Sequence, residues 1–72
     1  MRKIKKIKIK VNGKFKSIYD NYKILDLVKD LKIPLNKVAI ELNQEIIDKK
    51  KINKIILKNN DKIEIVNFIG GG

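Results

Sequence analysis

The stretch Ile7-Lys8-Ile9-Lys10-Val11-Asn12-Gly13-Lys14-Phe15-Lys16-Ser17-Ile18-Tyr19, continued by Asp20-Asn21-Tyr22-Lys23-Ile24-Leu25-Asp26-Leu27-Val28-Lys29-Asp30-Leu31, decides the fold, because two hydrophobic periods meet in it. Ile7, Ile9 and Val11 alternate with Lys8 and Lys10, which puts the branched chains on one face of a strand and the ammonium groups on the other. Ile4 breaks this parity, so the first residues are expected to bulge or fray. Asn12-Gly13 tolerates positive φ at both centres of a type I′ turn and predicts a hairpin to Lys14 through Tyr19. Asp20 and Asn21 then offer side-chain oxygens to cap a helix start. Ile24, Leu27, Val28 and Leu31 follow at helical spacing with Asp26, Lys29 and Asp30 between them, which predicts an amphipathic helix of two to three turns. Pro34 disfavours helical backbone at Ile33, so the helix should stop by Lys32.

Downstream the period returns to two. Val38, Ile40 and Leu42 alternate with Ala39, Glu41 and Asn43; a turn at Asn43-Gln44 leads into a short extended piece, Glu45-Ile46-Ile47. Lys54 through Leu57 is another short apolar run, Asn59-Asn60-Asp61 reads as a turn, and Lys62 to Ile69 as a closing strand. No linker or internal repeat divides the chain, so residues 1–72 are expected to form one domain with a glycine tail over residues 70–72. A helix with one apolar stripe must cover one face of the sheet. The expected connection is a right-handed crossover from the first hairpin through the helix to a strand parallel with the N-terminal one. This α+β arrangement, a mixed sheet with one main helix across it, is the β-grasp, the ubiquitin-like fold. Its expected core sets Ile24, Leu27, Val28 and Leu31 against Ile7, Ile9, Val38, Ile40, Leu42, Ile63 and Ile65.

Composition narrows the function. The 72 residues hold 18 Lys plus Arg against 8 Asp plus Glu, a net charge of +10, with no Cys, His or Trp. A chain this short closes one small core. Without Cys or His there is no disulfide framework, zinc finger, imidazole-ligated metal or His-activated nucleophile, which removes most self-contained enzyme mechanisms. Glu41, Glu45 and Asp48 lie close in sequence, yet alternation leaves them on the solvent side with no acid/base partner implied. The basic start Met1-Arg2-Lys3-Ile4-Lys5-Lys6-Ile7-Lys8 leads into no apolar h-region, and no apolar run approaches the length of a membrane span. The chain is expected to be soluble and cytoplasmic, not an enzyme, and free of bound cofactor and metal. Lys, Ile and Asn fill 40 of the 72 positions, a bias that A- and T-rich codons supply. The charge therefore implies non-specific, salt-sensitive adhesion to nucleic acid before it implies recognition.

The chain ends Glu64-Ile65-Val66-Asn67-Phe68-Ile69-Gly70-Gly71-Gly72. Three residues without Cβ make a thin thread able to enter a channel too narrow for other residues, and leave the last carbonyl open to attack. An α-carboxylate is anionic at neutral pH and resists nucleophiles, so it needs activation, as by ATP to an acyl-adenylate. Parity on the last strand gives Ile63 and Ile65 to the core and turns Glu64, Val66 and Phe68 outward; Val66 and Phe68, together with Ile69 next to the glycines, are the candidate partner interface. Phe15 and Tyr19 share a strand parity and are expected to line the sheet.

The segment Asp61 to Gly72 resembles the C-terminus of the ThiS family, the sulfur carriers of thiamine biosynthesis, in its acidic-apolar strand, aromatic and glycine ending. Val38-Ala39-Ile40-Glu41-Leu42-Asn43-Gln44-Glu45-Ile46-Ile47 is similar to the family's apolar strand with its Asn and following apolar pair. The resemblance implies a carrier without catalysis of its own, presented through Gly70 and Gly71. Gly72 would be adenylated by a ThiF-type adenylyltransferase that uses the ATP. Sulfur from cysteine, through a desulfurase, would convert it to a thiocarboxylate, and the thiazole synthase ThiG would accept that sulfur. Other readings stay open: the molybdopterin-synthase small subunit, whose members usually approach the glycines through a Pro that this chain lacks; a protein-conjugating ubiquitin-like modifier; and, from another class, a basic RNA-binding module.

Overall fold

The computed structural model describes residues 5–68. Asn12 and Gly13 take φ values of 49° and 84°, and the turn folds β1 (Lys6–Val11) antiparallel onto β2 (Lys14–Tyr19) with Ile7 opposite Ile18 and Lys10 opposite Phe15. Asn43 and Gln44, at 51° and 73°, make the equivalent two-residue turn between β3 (Val38–Leu42) and β4 (Glu45–Ile46). Asn accepts this left-handed backbone at small cost, and Gly at none.

Helix α1 spans Ile24–Asp30. It does not start on Asp20 or Asn21 as the side-chain oxygens suggested; Lys23 is the N-cap, extended at φ −98° and ψ 162°. The cause is a contact far along the chain, since Lys23 forms a bridge with Ile56 that holds the backbone extended up to the helix. The first helical N–H groups are then satisfied from that same distant segment, Ile24 N donating to Ile55 O (3.0 Å) and Leu25 N to Ile52 O (3.1 Å). Asp26 closes the turn by accepting from Lys23 N at 2.8 Å. At the other end Lys32 adopts φ 54° and Ile33 N donates back to Val28 O (3.0 Å), which stops the helix at Asp30.

Five strands form one sheet in the order β2-β1-β5-β3-β4, where β5 is Lys62–Asn67. Among the described residues only β1 and β5 are parallel, Lys10 facing Lys62 and Val11 facing Ile63. The strand parallel to the N-terminal one is therefore the last in the chain, while β3, the first strand after the helix, runs antiparallel to β5. Two 3-10 turns that sequence periodicity does not mark, Leu35–Lys37 and Lys49–Lys51, carry the remaining connections.

The buried core is Ile9, Ile18, Ile24, Leu27, Val28, Val38, Ile40, Ile52, Leu57 and Ile63, with Ile7, Leu42 and Ile65 partly buried against it. Leu31 departs from the expected core: the helix ends one residue before it and its side chain is 44% exposed. Ile52 and Leu57 take its share from the long β4–β5 connection, which is fastened where Leu57 N donates to Tyr22 O (2.7 Å). Fully burying such a side chain contributes about 1.5–3 kcal/mol.

Tyr22, just before the helix, donates its hydroxyl to the Asp30 carboxylate near the helix end. Burial, that hydrogen bond, and the charges of Asp30 and then Asp26 push the phenol above its ordinary value. The folded chain thus holds the proton more tightly than the unfolded one. Its stabilising share is complete below the unfolded phenol pKa of about 10 and is lost as pH climbs from there through the raised folded value. Tyr22→Phe is expected to cost about 1 kcal/mol at pH 7 and to flatten this part of the alkaline limb. Urea midpoints of both proteins from pH 8 to 11, compared as a difference, check it; parallel curves would rule the hydroxyl out.

Candidate functional site: the last strand and the open face of the sheet

Strand β5 sits between β1 and β3, and two turn asparagines hold it. Asn12 N donates to Ile63 O (2.9 Å) while its Oδ1 accepts from Ile65 N (2.7 Å). The hairpin turn thereby continues the pairing of β5 after β1 has ended at Val11. Asn43 does the same at the start of the strand, accepting from Lys62 N at 2.9 Å and donating through Nδ2 to Asp61 Oδ1 at 3.0 Å. The sequence marks both asparagines as turn formers through their backbone preference. Their side-chain work on β5 is invisible to it, because the partners lie far along the chain.

The parity read for β5 holds. Ile63 is buried and Ile65 half-buried, whereas Val66 is 46% and Phe68 54% exposed. The strand stops at Asn67, and Phe68 makes one further bond, donating its N–H to Lys37 O at 3.0 Å. The ammonium of Lys49 stands 5.1 Å from the centre of the Phe68 ring, and the same group donates to Leu35 O. The other expected site residues, Ile69, Gly70, Gly71 and Gly72, lie outside the described residues.

The basic hairpin forms the opposite side of the sheet's open face. Phe15 and Tyr19 line that face and are 71% and 55% exposed. Lys6 lies 5.8 Å from the Tyr19 ring, and Lys8 and Lys10 lie 5.4 and 5.1 Å from the Phe15 ring. Phe15 and Tyr19 lie four residues apart on one edge strand, about 13 Å along the backbone, which is too far for consecutive bases to stack on both. The lysines offer phosphate contacts without a base reader. Affinity for RNA or DNA is therefore expected to fall steeply for every sequence between low and physiological salt, which fluorescence anisotropy on a panel of oligonucleotides measures. A salt-resistant preference for one sequence would promote the RNA-binding reading.

Of the carboxylates, Asp48 accepts from Lys50 N (2.9 Å) as the cap of its 3-10 turn, and Glu41 faces Glu64 across β3 and β5. Among the described residues no group of three or more His, Cys, Asp or Glu side chains could hold a metal ion. No helix among them is long and apolar enough to cross a membrane.

The ThiS family model matches residues 9–72. The chain belongs to the ThiS family. The match takes in most of the N-terminal hairpin. A sulfur carrier protein ThiS from Bacillus subtilis is 38% identical over 65 residues, covering 89% of this chain and 98% of that protein. A thiazole synthase from Paramagnetospirillum magneticum is 35% identical over 66 residues, covering 92% of this chain and 20% of that protein. The chain thus spans about a fifth of the length of the thiazole synthases it matches. The crystal structure of a thiamine biosynthesis protein (ThiS) from Geobacter metallireducens superimposes with a TM-score of 0.80 at 28% identity, covering 92% of this chain and 100% of that one. Among the described residues the mixed five-stranded sheet with one α-helix is the ThiS β-grasp fold.

Proposed function

We propose that this member of the ThiS family is a sulfur carrier for thiamine biosynthesis and that Gly72 bears the sulfur. The observation that carries the reading is the path of β5. A strand fixed in the middle of the sheet by Asn12 and Asn43 runs to an exposed aromatic, Phe68, and the sequence then continues Ile69-Gly70-Gly71-Gly72. The near-complete overlap with the Bacillus subtilis carrier supports the same reading.

The chemistry follows from the terminal carboxylate. As an anion it repels a nucleophile, so a carboxylate oxygen first attacks the α-phosphorus of ATP and pyrophosphate leaves. A ThiF-type adenylyltransferase performs this step and binds the ATP; the carrier contributes the substrate. The outer sulfur of a persulfide, formed from cysteine on a desulfurase, then attacks the acyl-adenylate carbonyl and AMP leaves; a thiol reductant cleaves the resulting acyl disulfide and releases the thiocarboxylate. Glycines suit both steps, since without Cβ atoms the tail threads a narrow channel and leaves its carbonyl unhindered. Thiazole synthase, ThiG, receives the sulfur. The presence of a stretch similar to this chain inside longer thiazole synthases supports that pairing.

Intact mass after incubation with ATP, the activating enzyme and a sulfur source tests the reading, because exchange of one oxygen for sulfur changes the mass by the difference between the two atoms. Phe68→Ala is expected to weaken binding to the activating enzyme or to ThiG by about 2 kcal/mol, roughly thirtyfold in Kd. Titration calorimetry reads this directly, and the exposure of the ring leaves the fold nearly unaffected.

A further inference from the structure

We infer that Lys49 is a positioning residue for Phe68, fixing the ring and the backbone direction of the last described residue before the glycines. The inference rests on the sulfur-carrier reading and adds to it a residue remote in sequence from the tail. Three contacts close a ring around Phe68. Its N–H donates to Lys37 O at 3.0 Å; the Lys49 ammonium donates to Leu35 O, in the same 3-10 turn as Lys37; and that ammonium stands 5.1 Å from the centre of the Phe68 ring.

Lys49 is itself held. It opens the 3-10 turn Lys49–Lys51, which Asp48 caps by accepting from Lys50 N at 2.9 Å. Its side chain is half-buried, so the stem lies along the protein while the charged head reaches the ring. The other three lysine–ring contacts among the described residues all lie on the β1–β2 hairpin.

A single backbone bond fixes where Phe68 sits but leaves the chain free to swing about it. A cation against the ring face adds a second fixed point, and two points define a direction. The ring is 54% exposed, so its burial alone does not hold it. Where a thin tail must reach a catalytic centre, every residue ordered beforehand is one that binding does not have to order. The consequence should fall on productive association, with the chemical step left intact.

Lys49→Met keeps the length of the stem and removes the ammonium; Lys49→Arg keeps a cation and donors. Backbone amide order parameters by NMR report on residue 68 without any partner, and steady-state adenylation by the ThiF-type enzyme separates KM from kcat. With Lys49→Met we expect a lowered order parameter at Phe68, about a tenfold rise in KM for the carrier, kcat unchanged, and an unfolding midpoint close to that of the parent. Lys49→Arg should restore both order and KM. An unchanged order parameter, an unchanged KM, or a loss confined to stability would overturn the role of Lys49 while the parent protein still takes up sulfur. A parent protein that is never adenylated would overturn the sulfur-carrier reading itself, and the positioning role with it.

Discussion

Removal of Gly71 and Gly72 is expected to abolish sulfur uptake completely while the domain unfolds at nearly the same denaturant concentration. The two effects separate because glycine side chains bury no apolar area, whereas the reaction needs the carboxyl group at the end of a thread without Cβ atoms. Gly71→Ala should impair adenylation strongly for a related reason. On the proposed function its single methyl would have to enter a channel shaped for bare backbone, and Ala loses the positive-φ conformations open to Gly. Urea unfolding and intact-mass detection of the thiocarboxylate, run on the same samples, test both variants. Sulfur uptake by the protein lacking both glycines would refute Gly72 as the carrier.

The second large effect is on stability. Leu27 is fully enclosed between the helix and the sheet, and Leu27→Ala is expected to cost about 3 kcal/mol from lost transfer energy and the cavity left behind. For a domain of this size, total stability is on the order of 4–11 kcal/mol, so the loss is a large share of it. Leu31→Ala is the informative comparison. The two leucines lie four residues apart on the same apolar stripe of the sequence, yet Leu31 is 44% exposed and its truncation should cost less than about 1 kcal/mol. Equal shifts of the urea midpoint for the two variants would contradict the placement of the helix end.

That comparison marks where the sequence stops being sufficient. Some features depend only on a residue and its near neighbours, and these were legible. Asn12-Gly13 specifies a two-residue turn because its backbone accepts positive φ, the alternation through Ile7, Ile9 and Val11 specifies which face of β1 is apolar, and the helical spacing of Ile24, Leu27 and Val28 specifies the buried stripe. The order of hairpin, helix and strands, together with the strand that leads to Gly70-Gly71-Gly72, was enough to suggest the β-grasp and the family. Other features depend on partners dozens of residues away, and local preference cannot encode them. The helix begins at Ile24 because the backbone of residues 52–56 pairs with Lys23 and caps the first turn, and Ile52 and Leu57 reach the core because that same segment is pinned there. Asn12 and Asn43 acquire their second role when β5 inserts between β1 and β3, and Lys49 meets Phe68 only once the two 3-10 turns have been folded against the end of the sheet. Backbone propensity and side-chain period act over a few residues and fixed the elements; hydrogen bonds and burial between distant segments, available only after chain closure, decided where each element ends and what the tail-bearing strand is held by.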